Sequence, residues 1–130
     1  MRRKGISKLE LFLLLVAAAL VGAIIFSQVQ VFAARDRDNQ RKNDINQIYY
    51  YLTRAYHPAQ KSYPINLKDK ALSEKLAGSL TDPNGLKIGD ARSDYRYEAY
   101  GCDNTECEGF SVRSTLEQEA DFVRSTRVAQ

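Results

Sequence analysis

The sequence has little of what enzymes usually need. It holds one histidine, His57, and two cysteines, Cys102 and Cys107. No nucleophile-elbow or phosphate-loop pattern occurs in it. The chain is therefore not expected to be an enzyme, and no catalytic residue and no cofactor is assigned. Excess charge is also missing. The net charge is +3, and from Arg35 onward basic and acidic side chains are equal in number, 15 of each. Nucleic-acid binding rests on clustered Lys and Arg, so no nucleic acid is expected as a partner. Breakers are missing too, since no Pro or Gly lies between Ala23 and His57. Nothing local stops a helix there.

What is present begins at the N-terminus. Arg2, Arg3 and Lys4 precede Gly5, and an unbroken apolar run extends from Leu11 to Phe26. Leu9 to Ala34 supplies the roughly 20 mostly apolar residues that a membrane-crossing helix needs. The basic flank predicts an N-terminus held in the cytoplasm, with everything after Arg35 outside. Glu10 is the anomaly, a carboxylate at the edge of a span where charge is costly. One reading places it hydrated at headgroup level. The other gives it a partner. A cut after Gly5 creates an α-amine on Ile6, one helical turn before Glu10, and places Glu10 in the first turn, where the helix dipole favours an anion.

Lys4-Gly5-Ile6-Ser7-Lys8-Leu9-Glu10 followed by a hydrophobic run resembles the N-terminus of type IV pilins and of type II secretion pseudopilins. That pattern is a short basic leader ending in Gly, a hydrophobic first mature residue, a small hydroxylated second residue and Glu as the fifth. Lys8 and the lack of Pro in the span depart from it. The resemblance implies cleavage between Gly5 and Ile6 by a prepilin peptidase and N-methylation of Ile6. It also implies that Glu10 is the assembly carboxylate, paired with the amine of a neighbouring subunit. The implied partners are further copies of the chain in a helical filament, the pilus assembly machinery, and membrane lipid before assembly. The implied location is the cytoplasmic membrane, then the cell surface.

The 96 residues from Arg35 on suffice for one small domain. Arg35 to Lys42 alternates in charge and reads as a solvated helix face. Ile45, Ile48, Tyr49, Leu52 and Tyr56 form one helical stripe, with Tyr50 pointing the other way. One continuous helix is expected from near Ile6 to near Tyr56, ended by Pro58. Residues 57–64 read as loop, with His57 capping the last carbonyls of that helix. Leu72, Leu76 and Leu80 predict a short helix from about Leu67 to Leu80, and Thr81 to Gly85 is a turn.

The period then changes. Tyr95, Tyr97 and Ala99 alternate with polar neighbours, as do Phe110 and Val112, which predicts two half-buried strands with Cys102 and Cys107 at the turn between them. In a domain outside the membrane, the reading for the two cysteines is a disulfide that staples this hairpin. The rival is a metal site, for which two thiolates without further His or Cys supply too few ligands. Asp82, Asp90, Asp94, Asp103, Asn84 and Asn104 carry calcium-type oxygens but match no calcium loop and read as solvated turn residues, so no metal is assigned. Glu117, Glu119 and Asp121 read as surface charge, and the tail after Phe122 is polar with no clear period, so no structure is assigned to it.

The expected fold is α+β. A long N-terminal helix, membrane-spanning in its first half, packs on a small antiparallel β-sheet head, as in pilins. The expected division is a leader over 1–5, a membrane and filament-core helix over 6–34 and a head over 35–130. Within the head it is helix over 35–56, loop and short helix over 57–85, hairpin over 94–116 and polar tail over 117–130. The expected function is that of a structural subunit of a type IV pilus or pilus-like filament. The alternatives are a pseudopilin of a secretion or competence system, a secreted protein with a conventional signal peptide cut after Val31-Phe32-Ala33, and a single-pass anchored enzyme or binding module.

Overall fold

The computed structural model describes residues 6–126. The leader expected over 1–5 lies outside these residues, as do 127–130. The fold is α+β, built from a long N-terminal helix and a four-stranded antiparallel sheet, consistent with a pilin-like architecture. The chain divides after Ala34 into two compact units.

Helix α1 runs over Lys8–Tyr51. In the first unit it carries Leu, Ala, Val and Ile side chains on every face, and no residue of its most apolar stretch is buried. Leu9, Phe12 and Phe26 are each more than 60% exposed. The helix is long and apolar enough to cross a membrane. Its one hydroxyl, Ser27 Oγ, donates to the Ile24 carbonyl at 2.8 Å, so it needs no outside partner.

In the second unit α1 turns one stripe towards the sheet. Ile45, Ile48 and Leu52 are fully buried against Tyr95, Phe110 and Val112, and each such side chain contributes roughly 1.5–3 kcal/mol on burial. The helical path does not end before Pro58. A π turn over Leu52–Tyr56 leads into α2, His57–Gln60, and only Lys61, in the left-handed region at φ 61°, stops it. Proline in a regular helix collides with the carbonyl four residues back. The wider π turn, in which the His57 N–H reaches the Leu52 carbonyl, makes room for it. His57 is not a cap. Its ring stacks on Tyr63 with centroids 4.6 Å apart, while the Lys61 N–H satisfies the His57 carbonyl at 2.7 Å.

The segment expected as plain loop also holds β1, Tyr63–Pro64, which pairs with Cys107 and Glu106. Helix α3 is shorter than its leucine spacing predicts, covering Lys70–Lys75. Two polar side chains set its start. Asn66 accepts the Lys68 N–H, and Asp69 accepts the Leu72 N–H as an N-cap. Leu72, Leu76 and Leu80 are still buried together in the core.

Strands β2, Tyr95–Asp103, and β3, Glu106–Ser114, form the expected hairpin. Its turn is Asn104-Thr105, with Asn104 at φ 53°, a conformation that Asn tolerates. Beyond it comes an unexpected strand, β4, Phe122–Ser125, which pairs with β3 at Ser111–Ser114. Strands β1 and β4 thus share one edge of β3 and β2 takes the other. Four residues are too few to show an alternation in sequence. Strand β4 rests on its pairing with β3 and on Arg124, whose Nε donates to Asn46 Oδ1 of α1 at 2.8 Å.

Candidate functional site

The N-terminal site lies at the first turn of α1. The Ser7 N–H donates to Glu10 Oε2 at 2.8 Å, and the Glu10 N–H donates to Ser7 Oγ at 3.2 Å. This is a reciprocal capping box, which satisfies two of the donors that a helix start leaves open. Its Ser-x-x-Glu signature stands in the sequence at Ser7 to Glu10, a local signal that the expected roles of Glu10 leave out. The nitrogen of Ile6 belongs to a peptide bond here, and the carboxylate bonds within its own helix. Glu10 and Ile6 are both exposed, Ile6 by 68%. Gly5, where cleavage is expected, lies outside the described residues.

The head holds a second polar centre that sequence reasoning assigned to solvent. Asp38 and Arg41 are each only 2% exposed. Arg41 Nη1 donates to Asp38 Oδ1 at 2.9 Å and to Glu117 Oε1 at 2.8 Å, and its Nη2 donates to Asp94 Oδ2 at 2.9 Å. Asp38 also accepts the backbone N–H groups of Glu117 and Gln118. Arg37 grips Glu117 through two parallel bonds of 2.7 and 2.6 Å, the geometry in which arginine is strongest. Lys42 reaches Glu119 at 2.6 Å.

So Arg35 to Lys42 is not a solvated face throughout, while Glu117 and Glu119 are exposed as expected but paired with Arg37, Arg41 and Lys42. The missed signal is placement. Asp38, Arg41, Ile45, Ile48 and Leu52 continue one stripe at three- and four-residue steps, and a charged start to an apolar stripe implies buried partners.

Electrostatics follow from these contacts. Burial disfavours the ionised Asp38, but the two backbone N–H groups and Arg41 outweigh it and hold its pKa below the usual range. Hydrogen bonds from Arg37 and then Arg41 bring Glu117 down to about 2. Asp44 is the opposite case. Burial pushes its pKa up, only partly offset by the bond from Tyr95 Oη at 2.6 Å.

The two sulfurs are joined. Cys102 and Cys107 face each other across the hairpin and form a disulfide. That consumes the thiolates a metal site would use. Two of the acidic loop residues are also committed. The Asp82 carboxylate is buried and accepts four bonds, from the N–H groups of Asn84, Leu86 and Asp94 and from Ser93 Oγ. Asp94 accepts Arg41 and Asn84. These two are loop-organising groups, not solvated turn residues. Among the described residues no group of three metal-ligating side chains occurs.

No family model, curated protein or solved structure matches the chain.

Proposed function

We propose that the chain is a structural subunit of a type IV pilus or a pilus-like filament, held in the cytoplasmic membrane by α1 and polymerised after its leader is removed. The observation that carries this reading is the first half of α1. It is apolar on all sides and unburied, yet it carries an exposed carboxylate in its first turn. In a simple anchor Glu10 would do no more than close the capping box, whereas in a helix that leaves lipid for a bundle of identical helices it also offers a negative charge to a neighbouring copy. The disulfide supports a head outside the cytoplasm, where such bonds persist.

In this reading a prepilin peptidase cuts between Gly5 and Ile6 and the new amine on Ile6 is methylated. Lys8 and the leader hold the N-terminus inside until then. Glu10 then exchanges its capping-box partner for the Ile6 amine of a neighbouring copy, with the assembly machinery drawing the subunit from the membrane. The test is the intact mass and N-terminal sequence of the protein taken from membranes. A chain beginning at Ile6 with one added methyl group is expected, and a chain beginning at Ala34 would establish an ordinary signal peptide instead.

A further inference from the structure

The head is neutral overall, but along its chain the charges are sorted by sign. No Asp or Glu occurs between Ile45 and Lys68, the stretch that holds the end of α1, the π turn and α2. No Lys or Arg occurs between Tyr97 and Val112, which form most of the β2–β3 hairpin. Both sets leave members without partners. Arg54 and Arg124 form no ion pair among the described residues, and neither do Asp103, Glu106 and Glu108. We propose that the tyrosine–arginine surface of one head, at Tyr50, Arg54 and Arg124, receives the acidic hairpin tip of a second copy.

The first surface combines rings and guanidinium groups. Arg54 lies over the Tyr50 ring at 4.7 Å, and Arg124 of β4 lies 5.6 Å from the Tyr49 ring and 5.9 Å from that of Tyr50, all within cation–π range. Tyr50 stands outside the buried stripe of α1 and is 42% exposed. The guanidinium N–H edges are open. Arg54 donates no hydrogen bond among the described residues, and Arg124 uses only its Nε, on Asn46. Tyr and Arg are enriched at the energetic centres of interfaces, and an open guanidinium forks onto a carboxylate. The second surface is the matching anion. Asp103, Glu106 and Glu108 are all exposed at the hairpin tip, and the Cys102–Cys107 disulfide ties the strands that carry them. A tip so held loses little freedom on docking. Every copy that offers one surface also offers its complement. The two surfaces differ, so the contact is heterologous and can run on from copy to copy.

This inference rests on the filament reading above and adds which surfaces of the head meet. The experiment uses the full chain in cells, with the photocrosslinker p-benzoylphenylalanine placed at Tyr50. Sheared filaments are irradiated and digested, and the cross-links are mapped by mass spectrometry. Adducts between two copies are expected at residues 103–108. Filament yield is then measured for three variants. One carries Arg54→Glu and Arg124→Glu, one carries Asp103→Lys, Glu106→Lys and Glu108→Lys, and one carries all five changes. Each of the first two is expected to lower the yield by roughly tenfold or more, because like charges then face each other. The five changes together are expected to restore most of it, a rescue that a merely structural role does not give. Wild-type filaments whose Tyr50 adducts all fall elsewhere would overturn the contact and leave the filament reading standing. So would normal yield from either partial variant, or no recovery in the combined one. Absence of the wild-type chain from the sheared fraction would remove the filament reading and this contact with it.

Discussion

Asp38 and Glu117 stand 79 positions apart in sequence, and the Glu117 N–H donates to the Asp38 carboxylate at 2.9 Å. Through this contact, and through Arg41 between them, α1 holds the segment that leads from β3 to β4. The open end of the hairpin is also tied here, because Arg41 binds Asp94 just before β2. Its closed end is stapled by Cys102–Cys107.

Removing one member of this buried cluster should cost far more than cutting an exposed pair. Asp38→Ala leaves two backbone N–H groups without their acceptor and takes one of three carboxylates from the buried Arg41, and a loss of about 2–4 kcal/mol is expected. Lys42→Ala breaks a pair whose Glu119 partner is 60% exposed, and a change within about 1 kcal/mol is expected. Urea unfolding of the full chain in detergent, followed by tyrosine fluorescence, compares the two. Equal midpoints for both variants would contradict the placement of Asp38 in a buried network.

The cluster also sets an acid limb of stability. Glu117 titrates at about 2 against an ordinary 4.5, so its contribution is complete above pH 4.5 and is lost as pH falls towards 2. Asp38 is lowered as well and acts with the same sign. Asp44 is raised, so its protonation favours the folded state as pH falls and opposes the other two. Glu117→Gln should therefore flatten the loss between pH 4.5 and 2, and Asp44→Asn should steepen it. A denaturation midpoint measured against pH for the three proteins checks both signs.

The disulfide closes a short loop and should contribute about 2 kcal/mol by the loop-entropy account. Both thiols are expected to resist alkylation until reduced. Cys102→Ser should make the head easier to proteolyse while leaving membrane insertion intact. Prompt labelling of both thiols in the unreduced, folded protein would contradict this.

The parts of the fold legible in the sequence were those with a sustained period. The Ile45–Ile48–Leu52 stripe and the Tyr95–Tyr97–Ala99 alternation place α1 and β2 directly; the first buries all three residues it marks, and the second buries Tyr95 and packs the partly buried Tyr97 and Ala99 against the core. What escaped depends on partners distant in sequence. Strand β4 has four residues and acquires its identity from β3. The burial of Asp38 and Arg41 follows from residues more than 50 positions away. Pro58 was read as a stop because sequence rules assume a regular helix, and the π turn over Leu52–Tyr56 evades that rule. At the N-terminal site Glu10 stood out by charge alone, while its bond to Ser7, only three residues away, was legible and overlooked.

Glu10→Gln tests the central claim most directly. A capping box accepts Gln in place of Glu, so the helix start should survive. Insertion should survive as well, since the change removes a charge from the edge of the span. Only a role that needs the negative charge is lost, because the incoming Ile6 amine would be buried without a counter-ion, at a cost of several kcal/mol. The measurement is the amount of subunit in sheared filaments from cells expressing Glu10→Gln, alongside the membrane-bound pool and its N-terminus. The account predicts a chain cut after Gly5 and held in the membrane, with filament yield abolished or strongly reduced. Normal filament yield from correctly processed Glu10→Gln protein would contradict it.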